Sequence, residues 1–115
     1  MQAQTEWVMH TEYPDLREHE EIAIDLETKD TGLKSLGSGA VVGRGEVVGI
    51  AVAVEHGSWY FPIAHAEGPN SNREKTLEWF KDILNCPATK IFHNAMYDVC
   101  WIRKLGLNIN GLVVD

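Results

Sequence analysis

The sequence predicts an α/β domain in which helices pack on a mixed β-sheet. Residues 22–27 and 47–54 read as strands, and residues 59–63 return as a third strand after a short turn, which predicts a hairpin. From residue 71 onward, helical periodicity alternates with short apolar runs. A hairpin followed by alternating helices and strands requires both antiparallel and parallel neighbours, and therefore a mixed sheet.

The first predicted strand separates apolar from acidic side chains. Its three apolar residues share one face, whereas Asp25 and Glu27 share the other, roughly 7 Å apart. Carboxylates placed side by side disfavour each other's ionisation. A hard divalent cation such as Mg²⁺ or Mn²⁺ would relieve that repulsion. The alternative is a half-buried strand with an acidic outer face, and this segment alone does not decide between the two.

The second predicted strand is apolar on both faces, so we expect both faces to be covered. One face is expected to carry the larger residues Val48, Ile50, Val52 and Val54, and the other to carry Val47, Gly49, Ala51 and Ala53. The small side chains of the second face would let another backbone approach closely.

Two helices are expected in the second half of the chain. The first is predicted to begin at a capping box, with Ser71 as N-cap and Glu74 three residues later, and to end before Pro87. Its apolar stripe consists of Leu77, Phe80, Ile83 and Leu84.

The second helix is predicted to follow a short strand at 89–92 and to open at His93-Asn94. We expect Gly106 to end this helix and residues 112–115 to start a final strand. The residues predicted to face inward are Val99, Ile102 and Leu105.

Length and composition indicate one small globular domain. The chain has 115 residues, of which 44% are hydrophobic and 23% charged. Residues 1–20 are expected to form a polar extension, anchored by Trp7 and the segment 13–16, and residues 29–46 a long glycine-rich loop. The domain proper is expected to span 21–115.

Charge and cysteine content exclude several classes of function. The net charge of −7 argues against a broad phosphate-binding surface, but not against a site that holds phosphate through metal ions. Cys86 and Cys100 have no metal-ligand spacing and are expected to be buried, reduced thiols. The chain has no membrane-spanning stretch and no signal peptide, so we expect a cytoplasmic protein.

A second group of polar residues opens the second helix. Asn94 and Asp98 are four residues apart and hence on one helical face. Helix capping and the helix dipole would account for both residues without any chemistry. However, a short strand running directly into this helix would aim Asp98 at the end of the sheet where the acids of the first strand lie.

Taken together, these segments resemble DnaQ-like (DEDD) 3′–5′ exonucleases. Asp25-Leu26-Glu27-Thr28 is similar to the first exonuclease motif, and His93-Asn94-Ala95-Met96-Tyr97-Asp98 is similar to the second. Trp59-Tyr60-Phe61-Pro62-Ile63, followed by His65, resembles the proofreading domain of family A DNA polymerases, particularly phage-encoded ones. The likeness extends over essentially the whole chain.

This resemblance implies an RNase H-like fold that hydrolyses the 3′-terminal phosphodiester of single-stranded DNA with two Mg²⁺ or Mn²⁺ ions. Asp25 would bridge both ions, Glu27 would bind the ion that activates water, and Asp98 would complete the other ion's shell. Leu26, Thr28 and Asn94 would contact the substrate. A polymerase domain, in a phage or bacterial replication context, is the implied partner.

The sequence also departs from the family pattern. The family's third motif, expected on a helix after the last strand, is not supplied by the residues up to Asp115, which resembles a residue upstream of that motif. We therefore expect a domain truncated after its last strand, with little activity on its own and a tendency to form homo-oligomers through uncovered apolar surface. The alternative function is a non-catalytic interaction module or a remnant of a polymerase exonuclease domain.

The aromatic and histidine residues near the motifs have simpler interpretations. We expect Phe92 and Tyr97 to pack in the core rather than to stack on bases. His65 follows a strand, and we expect it to order a loop rather than to face the site. His93 is expected to order the turn before the second helix.

Overall fold

The computed structural model describes residues 12–29, 45–66 and 68–115. Within these residues the elements occur in the predicted order. They are β1 (Glu21–Lys29), β2 (Glu46–Val54), β3 (Gly57–Pro62), α1 (Arg73–Asn85), β4 (Thr89–Phe92), α2 (Ala95–Lys104) and β5 (Val113–Val114). The protein is therefore a mixed α/β fold.

All five strands form one sheet in the order β3-β2-β1-β4-β5. The first three strands pair antiparallel, whereas β4 pairs parallel with both β1 and β5. A connection of two residues, Glu55 and His56, closes the hairpin between β2 and β3. The mixed sheet predicted from the pattern is confirmed, and β1, the acidic strand, lies at its centre.

The core lies on the apolar face of β1. Ile22, Ile24 and Leu26 are buried there, as predicted, together with side chains from both helices. Helix α1 contributes Phe80, Ile83 and Leu84, and helix α2 contributes Trp101 and Ile102.

The buried face of α2 differs from the predicted one. Val99 is only partly buried, and Trp101, which we did not place in the core, is 1% exposed. The buried face follows the spacing of Asp98, Trp101, Ile102 and Leu105, which is the helical pattern i, i+3, i+4 and i+7. Because the first of these positions is the carboxylate Asp98, the sequence did not show these residues as an apolar helical pattern.

A bulge in β2 alters its predicted faces. Glu27 pairs with Gly49 but Thr28 pairs with Val47, so Val48 is skipped in the register with β1. The extra residue turns Val47 toward the core, where it is 5% exposed, and our assignment of Val47 to the opposite face is wrong.

The small-residue face of β2 also differs from expectation. Ala51 and Ala53 remain partly exposed, so the cover that we expected over this face is not found among residues 12–29, 45–66 and 68–115. Gly49 is an exception, because it is buried.

Helix α1 is capped by Asn72 rather than by Ser71. The side-chain Oδ1 of Asn72 accepts a hydrogen bond from the backbone N–H of Lys75 at 2.9 Å. The backbone N–H of Ser71 donates to the carbonyl of Pro62 at 2.7 Å, which ties Ser71 to the end of β3 and moves the helix start one residue on. Gly106 follows α2 with a φ of 84°, as expected for a glycine that ends a helix.

The segment before β1 packs on the domain through aromatic side chains. The Tyr13 ring stacks on Phe61 with centroids 4.8 Å apart, and its hydroxyl lies 2.7 Å from Thr76 Oγ1. Trp79 Nε1 donates to the carbonyl of Pro14 at 2.7 Å. The anchoring role predicted for residues 13–16 is therefore confirmed. Trp7 and residues 30–44 of the predicted loop lie outside the described residues.

Of the helices in the described part of the chain, neither has the length and apolar character needed to cross a membrane.

Candidate functional site

The two acidic motifs meet because of how β1 and β4 pair. These strands are parallel neighbours, with Ile24 opposite Phe92, so their carboxyl ends lie at the same edge of the sheet. Asp25 and Glu27 continue β1 beyond this point on the exposed face. Asp98 lies in the first turn of α2, which follows β4 directly. As the sequence predicted, Asp98 comes close enough to Asp25 for their charges to interact.

Asp98 is the buried carboxyl of this group. It is 3% exposed, and burial raises its pKa to about 6, with a further increase from the charges of Asp25 and Asp115 and an opposing effect of His93. Both causes of the increase disfavour the ionised form, because charge is costly to bury and like charges repel. Burial and the neighbouring carboxylates therefore both favour the protonated form of Asp98.

Glu27 has two partners that the sequence analysis did not assign to it. The Tyr60 hydroxyl donates to Glu27 Oε1 at 2.5 Å. His65 Nε2 lies 2.7 Å from the same carboxylate oxygen and 2.6 Å from the Tyr60 oxygen. Our expectation that His65 serves a loop rather than the site is thus incomplete, because its ring faces Glu27.

Gly49 is what allows Tyr60 to reach Glu27. Tyr60 is on β3 and Glu27 on β1, with β2 between them, and the phenol lies over Gly49. A Cβ at Gly49 would overlap the Tyr60 hydroxyl, so no other residue type fits beneath this ring. Burial, together with the hydrogen bond to Glu27 and its charge, raises the pKa of Tyr60. The phenol therefore remains a protonated donor at neutral pH.

The residues predicted to contact substrate lie in three different settings. Leu26 is 8% exposed and points into the core, so only its backbone lies between the two acids. Thr28 Oγ1 lies 2.6 Å from the hydroxyl of Tyr97, a contact that joins β1 to α2. Asn94 is exposed at the N-terminus of α2, and its side chain makes no capping hydrogen bond.

Phe92, which precedes the second motif, and Tyr97, which lies within it, pack as predicted. Phe92 is 1% exposed within the core, and Tyr97 is partly buried against it. The Tyr97 ring lies edge-on to Trp101, with centroids 6.2 Å apart. Both side chains therefore have packing roles.

The chemistry of the donors fits a hard divalent cation, since carboxylate oxygens are its preferred ligands. The described residues do not gather three such ligands, however. No three His, Cys, Asp or Glu side chains of residues 12–29, 45–66 and 68–115 lie in a geometry that could hold one metal ion. Glu27 is engaged by Tyr60 and His65, whereas Asp98 interacts with the charges of Asp25 and Asp115.

Sequence reasoning missed Tyr60 because its role depends on a glycine in another strand. Tyr60 pairs with Ala51, and its side chain crosses diagonally to Gly49 before reaching Glu27. A glycine within a strand indicates the close approach of another group, and this was the available signal. In comparisons with known proteins, no protein-family model and no curated protein matches the chain.

Proposed function

We propose that this chain carries the first two motifs of a DnaQ-like (DEDD) 3′–5′ exonuclease site on an RNase H-like sheet. The approach of Asp98 to Asp25 at the edge shared by β1 and β4, with Glu27 on the same face of β1 as Asp25, carries this proposal. The chemistry is hydrolysis at the 3′ end of single-stranded DNA, as in the proofreading domains of family A DNA polymerases. The five-stranded mixed sheet with two helices supports the RNase H-like assignment.

Asp25 and Asp98 would contribute carboxylates to Mg²⁺ or Mn²⁺, and Glu27 would have to move from its present contacts with Tyr60 and His65 to join them. When bound, such ions supply the positive charge that activates water and stabilises the leaving oxygen. The chain's own contribution is to hold the acids on rigid elements, since Asp25 and Glu27 are on the central strand and Asp98 is buried on a helix. The exposed Asn94 amide at the start of α2 is available to orient the DNA.

Metal and DNA binding test this function directly. In a Mn²⁺ titration, the melting temperature of the wild-type chain should rise, because only the folded chain assembles the ligands. The Asp25→Ala/Glu27→Ala variant should show no such rise, whereas Glu78→Gln, an exposed change on α1, should respond as wild type. Fluorescence anisotropy should then show that a single-stranded oligonucleotide with a free 3′ end binds more tightly when Mn²⁺ is present. Identical metal responses in wild type and the double variant would overturn the proposal.

Activity is the second measurement. Release of mononucleotides from labelled single-stranded DNA in Mn²⁺ should be weak for this chain and should be lost in Asp25→Ala. Robust release that survives Asp25→Ala would show that another site is responsible.

A second candidate function is a non-catalytic interaction module. It is favoured by the exposed apolar residues at the open edge of the sheet, where Leu112 is 66% exposed and Val113 and Val114 are 38% and 40% exposed. Analytical ultracentrifugation distinguishes the two candidates when combined with the titration above. Self-association without any metal response favours the module, and a metal response in a monomer favours the exonuclease site.

A further inference from the structure

Asn110 and Gly111 belong to the connection that leads into β5. The backbone N–H of Asn110 donates to the carbonyl of Leu84 at 2.8 Å, and the Asn110 carbonyl accepts from Lys90 Nζ at 2.9 Å. The side-chain Nδ2 of Asn110 donates to the carbonyl of Asn85, the last residue of α1, at 3.3 Å. Asn110 therefore joins the end of α1 to the segment before β5.

The fold requires a glycine directly after Asn110. Gly111 has a φ of 82°, in the left-handed region that residues with a Cβ rarely adopt. A Cβ at this position would also lie 2.6 Å from the carbonyl oxygen of Ala88 and 3.3 Å from Lys90 Nζ. The backbone N–H that follows Asn110 is therefore one that no side chain of its own residue shields.

An asparagine followed by glycine is prone to cyclise, because the next backbone nitrogen reaches the side-chain amide carbon without steric obstruction. Gly111 N attacks Asn110 Cγ, and the side-chain nitrogen leaves as ammonia together with the proton of the Gly111 N–H. The resulting succinimide takes up one water molecule and opens at either of its two carbonyls, which gives aspartate or isoaspartate. The reaction consumes only water.

The attacking nitrogen and the amide carbon are both available in the folded chain. Asn110 is exposed, and 3.3 Å is long for the hydrogen bond between its amide and the carbonyl of Asn85. The Gly111 N–H makes no hydrogen bond to another of residues 12–29, 45–66 and 68–115. Of the six asparagines in the sequence, Asn110 alone precedes a glycine.

Conversion changes the connection to β5 in two ways. In isoaspartate the main chain runs through the former side chain, which inserts a methylene group before Gly111 and removes the Asn110 carbonyl, the acceptor of Lys90 Nζ, from the main chain. In aspartate a carboxylate replaces the amide donor beside the carbonyl of Asn85, at the negative end of the α1 dipole. The pairing of β5 with β4 extends over only two residue pairs, so both products should weaken it.

We propose that Asn110 is a site of spontaneous modification, at which the folded chain converts asparagine to aspartate and isoaspartate and thereby releases β5 from the end of α1. The release reaches the start of α2, because Asp115 follows β5 and its Oδ1 accepts a hydrogen bond from the N–H of Ala95. This inference is independent of the exonuclease function proposed above.

Peptide mapping by mass spectrometry tests the site on the full chain, incubated folded in mildly alkaline buffer prepared with heavy-oxygen water. Aspartate and isoaspartate should accumulate at position 110, each with one heavy oxygen from the opening of the succinimide. Asn108 is the internal control, because it is also exposed but precedes the branched Ile109, and it should keep its amide. Asn110→Gln would have to close a larger ring and should show no comparable conversion.

Thermal melting tests the release of β5. Wild type should melt at a lower temperature after the incubation than before it, and Asn110→Asp should melt below wild type without any incubation. Asn110→Gln should melt at the same temperature before and after incubation, which assigns the change in wild type to position 110. Circular dichroism during the incubation establishes that the chain remains folded.

The contrary outcomes are equally specific. If Asn110 keeps its amide in the folded chain under conditions that convert it in the urea-unfolded chain, the fold protects this residue and the proposal is overturned. Equal conversion at Asn108 and Asn110, or aspartate without isoaspartate, overturns the role of the glycine and of the cyclic intermediate. Conversion at position 110 with an unchanged melting temperature overturns the release of β5.

Discussion

Asp115 caps helix α2 through the backbone N–H of Ala95, which donates to Asp115 Oδ1 at 2.9 Å. Asn94 occupies the N-cap position, but its own side chain makes no capping hydrogen bond. The backbone N–H of the first residue of α2 is therefore bonded to a residue that follows β5. The same carboxylate raises the pKa of Asp98, so capping the helix adds negative charge beside a buried acid.

Asp115→Ala should lower the free energy of unfolding by about 1 kcal/mol, the usual cost of losing a capping side chain. Asn94→Ala should change it by much less, because the Asn94 side chain makes no such bond. Urea denaturation of the two variants beside wild type measures the difference. A larger loss in Asn94→Ala than in Asp115→Ala would show that Asn94 caps the helix in solution.

Asp98→Asn should make the chain more stable above pH 6. The folded pKa of Asp98, about 6, is above its usual value of 3.8, so the folded state binds the proton more tightly than the unfolded state. The free energy of unfolding of wild type therefore falls as the pH rises through this interval. Asparagine cannot ionise, so the free energy of unfolding of the variant does not fall in this way as the pH rises.

We expect the free energy of unfolding of Asp98→Asn to exceed that of wild type by about 2 kcal/mol at pH 8 and to equal it near pH 4. Urea denaturation at the two pH values measures both quantities. Glu78→Gln, at an exposed position of α1, is the control and should show no comparable pH-dependent gain. A gain for Asp98→Asn that is the same at both pH values would contradict an electrostatic origin.

Lys90→Met should destabilise the domain by about 1–3 kcal/mol, because two carbonyl groups lose a donor. Lys90 is fully buried, and its Nζ donates to the carbonyls of Cys86 and of Asn110, the latter at 2.9 Å. Cys86 follows α1, so this lysine ties the end of that helix to the segment before β5. Thermal melting measures the effect, with Lys81→Met at an exposed position of α1 as control. Equal melting temperatures for the two variants would exclude the bridging role.

The contact between Thr28 and Tyr97 should appear as a coupling energy of about 0.5–1.5 kcal/mol in a double-mutant cycle. Thr28→Val and Tyr97→Phe each remove one hydroxyl of the pair, whose oxygens are 2.6 Å apart. Unfolding free energies of wild type, both single variants and the double variant complete the cycle. Additive effects would show that the two hydroxyls act independently.

Much of the fold and of the acidic site could be predicted from local patterns. The alternation of Ile22, Ile24 and Leu26 with Asp25 and Glu27 determined which face of β1 is buried, because adjacent side chains in a strand point to opposite faces. The order of strands and helices followed from periodicity in the same way. The approach of Asp98 to the acids required only that β4 lead directly into α2 beside a parallel β1.

Tertiary structure decided the features that depend on pairing between distant segments. The bulge at Val48 turned Val47 inward, and no alternation within β2 contains that information because the shift arises in the register with β1. Tyr60 reaches Glu27 across Gly49 for the same kind of reason, since three strands must be aligned before the phenol meets the carboxylate. The sequence by itself determined which residues carry charge and which strand face is buried, while the strand register determined which partners those charges meet.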